Sequence, residues 1–165
     1  MKISQDNLSS ELNRNLFNCY LVSGDEHLLV QESIELIRSA AKKDGFLSRE
    51  TYYQNDTFDW NDILVSSSNL SLFSEKKIIE IRLNTLRLGR SGSQSIIDLI
   101  QSQSDELMFI ISSPKLDKIA LSSKWVKYLQ KKSGFIQIWP IQGDRLKTWL
   151  RIRMKKEGLI ADRDA

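Results

Sequence analysis

Short β-rich apolar runs alternate with helix-spaced segments along nearly the whole chain, and this alternation constrains the fold more than any other feature. Asn18 to Ser23 reads as a buried first strand, stopped by Gly24. From His27 to Lys43, Leu28, Leu29, Ser33, Leu36, Ile37 and Ala40 recur at helical spacing, and Gly45 stands where a helix C-terminal glycine belongs. Arg49 to Gln54 is a second, more polar strand, expected nearer an edge. Asp59 is a candidate N-cap for a short helix through Val65. Lys76 to Leu83 makes a third strand; Asn84 to Ser93 reads as loop and Gln94 to Gln103 as helix. Glu106 to Ser112 is the most apolar strand and belongs at the sheet centre. Ser122 or Ser123 caps a helix carrying Trp125, Val126 and Leu129, and Phe135 to Ile141 is the fifth strand. A helix from about Gln5 to Asn13 precedes the first strand. Strands alternating with helices of this length predict an α/β fold, a five-stranded parallel sheet with helices on both faces.

Composition removes several classes. The one cysteine, Cys19, cannot make an internal disulfide, which points to a reducing, cytoplasmic setting. The strongest apolar run, Leu107 to Ile111, is far short of the ~18 residues of a membrane helix. The N-terminus, MKISQDNLSSEL, lacks the apolar core of a signal peptide. One Cys and one His cannot supply the usual zinc ligand sets, so no metal is expected. The net charge of +3 hides a division: residues 1–72 carry a net of −5 and residues 73–165 a net of +8. Between Lys115 and Lys156, 12 basic residues face only Asp117 and Asp144. A basic face of this kind suits a nucleic-acid backbone, although lysines on exposed helix faces also serve solubility alone.

In a doubly wound sheet, ligands sit beyond the carboxyl ends of the strands, so the loop after the first strand is the natural nucleotide site. A phosphate loop there requires G-x-x-x-x-G-K-[ST], with amides to cradle phosphate, a lysine to neutralise it and a hydroxyl for magnesium. From Gly24 the chain instead places Leu29 at the second glycine, Val30 at the lysine and Gln31 at the hydroxyl. Asp25 and Glu26 would repel a triphosphate. The third strand offers only Glu80, mid-strand, where a magnesium-holding carboxylate would be needed at its end. Neither a nucleophile elbow nor G-x-G-x-x-G occurs. Gly89 to Gly92 lies in the expected loop before a helix, where an anion would find amides. His27 reads as a solvent-facing residue of a first helical turn, and Cys19 as a core thiol. No catalytic residues and no cofactor are expected.

With these residues in view, a family resemblance emerges. Tyr20-Leu-Val-Ser-Gly-Asp-Glu-His-Leu-Leu-Val-Gln-Glu32 resembles the opening of the bacterial DNA polymerase III delta subunit, a component of the sliding-clamp loader. Asp59-Trp-Asn61 and Leu70-Ser-Leu-Phe-Ser-Glu-Lys-Lys77 resemble the clamp-binding helix end of that family and the approach to the strand behind it. Ser113-Pro-Lys-Leu-Asp-Lys118 and Trp149 to Leu159 are similar to two further family segments, the second leading into a lid domain. The matches follow the family's order over nearly the whole chain.

The resemblance implies a RecA-like domain of the AAA+ class, related to P-loop NTPases, whose nucleotide site has degenerated. It implies residues 1–142 as a clamp-binding domain and 143–165 as the start of a truncated lid, since Asp162 reads as a helix start three residues before the chain stops. It implies no catalysis by this chain, which would serve a DNA polymerase holoenzyme. The implied partners are the ring-shaped sliding clamp (the beta subunit), the other loader subunits for the full-length protein, and DNA within the assembled loader; no membrane is implied. In the family, Leu70, Leu72 and Phe73 would bind the clamp, with Leu72 and Phe73 exposed as a wedge in an apolar pocket. Read from the residues alone, the same pair would dock onto the sheet as an apolar plug. The basic residues Lys115, Lys118, Arg151 and Lys155 are candidates to face DNA, and a nucleic-acid-binding α/β module using residues 115–156 is the alternative function.

Overall fold

The computed structural model describes residues 1–55, 58–68, 76–102 and 104–159. The sheet contains β1 (Lys2–Ile3), β2 (Cys19–Ser23), β3 (Ser48–Tyr53), β4 (Lys77–Arg82), β5 (Leu107–Ser113) and β6 (Gly134–Gln137). All neighbouring strands are parallel, in the order β1-β6-β2-β5-β4-β3. The helices are α1 (Leu8–Arg14), α2 (His27–Lys43), α3 (Trp60–Ser68), α4 (Gly89–Gln101), α5 (Lys118–Ser122), α6 (Lys124–Lys132) and α7 (Asp144–Lys156).

Strand alternation builds two cores, one on each face of the sheet. Cys19, Leu21, Ile79, Ile81, Phe109 and Ile111 face α3, α4 and α6, meeting Ile63, Ile96, Leu99, Trp125 and Leu129. Tyr20, Val22, Ile78, Met108 and Ile110 face α1 and α2, meeting Leu8, Leu12, Ile34, Ile37 and Ala41. β2 and β5 are buried along their whole length, as near-continuous apolar runs require, and the polar β3 takes an edge. The end of α2 is fixed by Gly45 at φ +94°, with Phe46 N–H donating to Ala41 and Gly45 N–H to Lys42.

Four boundaries differ from the sequence expectation. The sheet has six strands rather than five, because Lys2–Ile3 adds a two-residue edge to Phe135 and Ile136, too short to show any periodicity. β6 stops at Gln137 rather than Ile141: Ile138 N–H makes a last bond to Ser23 at 2.7 Å, and Pro140 has no N–H to offer. α4 begins at Gly89, so Gly89 to Gly92 is a helical turn rather than loop. Gly92 is there for packing, since a Cβ would stand 2.8 Å from Trp60 Nε1. The short α5 is an addition, capped by Asp117, whose carboxylate accepts from Ala120 N–H at 2.6 Å. Among the described residues, no helix is long and apolar enough to cross a membrane.

Candidate functional site

The loop after β2 enters α2 at the carboxyl end of the sheet, and its residues bond to neighbouring loops. Gly24 N–H donates to Ser113 at 3.1 Å, and the Asp25 carboxylate accepts from the Lys115 backbone N–H at 2.9 Å. A carboxylate of the chain thus ties the loop after β2 to the loop after β5. Gly24 lies against Ile138, and Leu29 is buried in the core beneath α2, with Val30 partly buried beside it. Gln31 is exposed, as is His27 at the first position of α2. Of the four positions, Gly24 and Leu29 are thus buried, Val30 half-buried and Gln31 exposed. The Lys115 ammonium lies 4.9 Å from the centre of the Trp139 ring, over its face.

Glu80 is fully buried mid-strand and is consumed by arginines. It pairs with Arg82 at 2.8 Å, Arg38 of α2 at 3.4 Å and Arg49 of β3 at 3.7 Å. Among the described residues, no cluster of three or more His, Cys, Asp or Glu could hold a metal ion.

Leu70, Leu72 and Phe73 lie outside the described residues; the two flanks of their segment lie within them. Asp59 caps α3 by accepting from Asn61 N–H at 2.9 Å, and Ile63 anchors the helix in the core, while Val65 is exposed. Near the end of α3, Ser66 donates to Glu50 of β3. From the start of β4, Lys77 pairs with Glu50 at 2.5 Å and donates to Ser66 at 2.8 Å, and Tyr52 O–H also donates to Glu50, at 2.8 Å. Desolvation alone would raise the Glu50 carboxyl, but bonds from Lys77, Ser66 and Tyr52 and the Lys77 charge outweigh it and hold Glu50 below the usual carboxylate range. Sequence reasoning missed this network, because nothing local pairs an acid of β3 with a lysine of β4.

The candidate DNA-facing residues are all exposed. Lys115 and Lys118 lie in and just after the loop following β5. Arg151 and Lys155, one turn apart, continue a stripe with Lys147 on one side of α7. The other side of α7 lies on the α1–α2 layer: Trp149 packs against the α1–α2 core, Arg153 stacks over Trp149 at 4.6 Å and pairs with Glu32 of α2, and Arg145 pairs with Asp6 at 2.8 Å.

A family model described as DNA polymerase III, delta subunit, matches residues 20–138. The chain belongs to this family. The DNA polymerase III subunit delta of Escherichia coli K12 is 25% identical over 162 residues, covering 98% of this chain and 47% of the relative. The chain spans about half the length of the curated relatives it matches. Among solved structures, the DNA clamp loader delta protein of Bacillus subtilis superposes with a TM-score of 0.65 at 17% identity, covering 93% of this chain and 48% of that one. A RuvB variant of Thermotoga maritima gives 0.59 at 15% identity, covering 93% and 50%. These two likenesses establish the fold, the AAA+-class sheet domain expected from the sequence. Delta-family membership places the chain among proteins of DNA replication and of the clamp loader.

Proposed function

We propose that this chain is the clamp-binding part of a clamp-loader delta subunit, acting on the sliding clamp in the cytoplasm without catalysis of its own. The observation that carries this reading is the crevice after β2, where a delta-family AAA+ domain uses Asp25, Leu29 and Val30 for internal contacts in place of phosphate-binding groups. Such a domain is left with a binding role. Leu70, Leu72 and Phe73 are the clamp-binding residues, with Leu72 and Phe73 as the apolar pair that acts on the ring. Residues 1–142 are the binding domain and 143–165 begin a lid. The wedge opens the ring only to the extent that it binds the open form better than the closed one. In the full-length protein the other loader subunits are further partners. DNA within the assembled loader meets Lys115, Lys118, Arg151 and Lys155.

Burying each wedge side chain contributes about 1.5–3 kcal/mol, so the pair supplies roughly 3–6 kcal/mol. That is about two to four decades of affinity. Replacing Leu72 by Ser and Phe73 by Ala should therefore abolish binding to immobilised sliding clamp, with circular dichroism and the thermal melt unchanged. A double variant that binds like the parent removes the wedge, and one that melts far earlier makes the pair core.

The basic stripe on α7 favours a second reading, a nucleic-acid-binding module. A steep salt dependence of oligonucleotide binding, weakened by Arg151→Ala and Lys155→Ala, would support it.

A further inference from the structure

We propose that the free edge of β3 is a docking site for an extended acidic segment of a partner protein, which adds to the sheet as a further strand. β3 is the last strand of the sheet, and among the described residues no strand pairs with its outer edge. Gln54 N–H donates to the Arg82 carbonyl at 2.9 Å, so in this parallel ladder Glu50, Tyr52 and Gln54 turn their backbone groups to β4. Arg49, Thr51 and Tyr53 therefore turn their N–H and C=O groups outward, where another strand would bond. Ser48 to Tyr53 contains neither proline nor lysine, two residues that commonly block such an edge.

Charge selects the strand. The side chains of Arg49, Thr51 and Tyr53 lie on the α2 face of the sheet, in register with Ile78, Glu80 and Arg82 of β4. Arg38, Arg49 and Arg82 meet there with only Glu80 and Glu35 to answer them, and Arg38 Nη2 has no hydrogen-bond partner among the described residues. Arg49 is 43% exposed and lies 3.7 Å from Glu80, beyond hydrogen-bond range, so its guanidinium is open to a second carboxylate. Arg82 lies over the ring of Tyr53, itself 56% exposed. On the opposite face Glu50 already holds Lys77, and Asp62 stands beside it. The fitting segment thus carries carboxylates at every second position, toward Arg49 and Arg82, with neutral side chains between them. A second copy of the chain would bring the same arginines to this edge and fits less well.

The test uses the 165-residue chain and a short fluorescent peptide of alternating glutamate and threonine, read by anisotropy at low salt. A control peptide has the same composition with its glutamates grouped at one end. The alternating peptide should bind clearly more tightly, and Arg49→Ala should weaken it about tenfold. Thr51→Pro removes an outward N–H and no bond to β4, so it should abolish binding while the thermal melt still shows a folded protein. N-methylation of the peptide amides leaves the protein untouched and should abolish binding as well. No binding, equal binding of the two peptides, or binding that survives either Thr51→Pro or N-methylation would overturn the proposal. So would a dimer of the chain in sedimentation that Thr51→Pro dissociates, because a second copy would then hold the edge.

Discussion

A side chain has no room at Gly24: a Cβ would meet Ile138 Cβ at 2.7 Å and the Ile138 carbonyl oxygen at 2.9 Å. In a phosphate loop such a glycine lets phosphate approach, whereas here the close neighbour is the chain itself. The backbone carbonyl cannot swing aside, so Gly24→Ala should cost about 1–3 kcal/mol in a urea melt. At the start of β2, Cys19 is completely buried and its thiol is pushed up by desolvation, only partly offset by Ser133. A thiol-specific chromogenic reagent should therefore label it no faster than the protein unfolds; rapid labelling of the native protein would contradict that burial. Tyr20 is pushed up to about 12, first by burial, with the bond from Phe17 N–H opposing and the neighbouring Cys19 adding to it. A raised folded pKa means that this contribution is complete below the unfolded value near 10 and is lost as pH rises toward about 12. Stability should fall by roughly 2 kcal/mol across that window from Tyr20 alone, read by urea melts at stepped pH.

Elements that bury both faces carry their signal locally. Met108 to Ile111 and Cys19 to Val22 are continuous apolar runs that fit inner strands, and the α2 stripe with its terminal Gly45 gives a helix whose C-terminal end is marked. β1 was hidden because a two-residue strand has no period. The start of α4 was hidden because Gly89 and Gly92 signal loops, while the contact that requires Gly92 comes from Trp60 on another helix. Of the candidate site, the departure of the loop after β2 from the phosphate-loop pattern was legible residue by residue, since the pattern is contiguous. The Asp25–Lys115 bond and the Glu50 network were not, because their partners meet only once the strands are ordered. The same holds for Glu80 in β4, whose charge is balanced by Arg38, Arg49 and Arg82 from three elements. Removing the acid leaves these arginines facing one another at a partly buried site. Glu80→Ala should cost about 3 kcal/mol in a urea melt, and a neutral result would mean that the cluster is solvated.

At the scale of the molecule, a parallel sheet lies between two helical layers, and the loop after β2 packs against the chain itself. Residues 1–72 carry a net charge of −5, and residues 73–165, which include the basic residues proposed to face DNA, a net of +8. Calorimetry with ATP and magnesium should show no binding in the micromolar range, because Leu29 and Val30 lie in or against the core and Asp25 opposes a triphosphate. The central claim is that the chain binds the clamp in a way that favours the open ring, which requires unequal affinities for the two states. The most direct measurement is the affinity of this chain for the intact clamp ring and for a clamp variant held monomeric by a broken ring interface. The expected result is clearly tighter binding to the monomeric form, with both interactions lost in Leu72→Ser/Phe73→Ala. Equal affinity for ring and monomer, or binding to neither, would contradict the account.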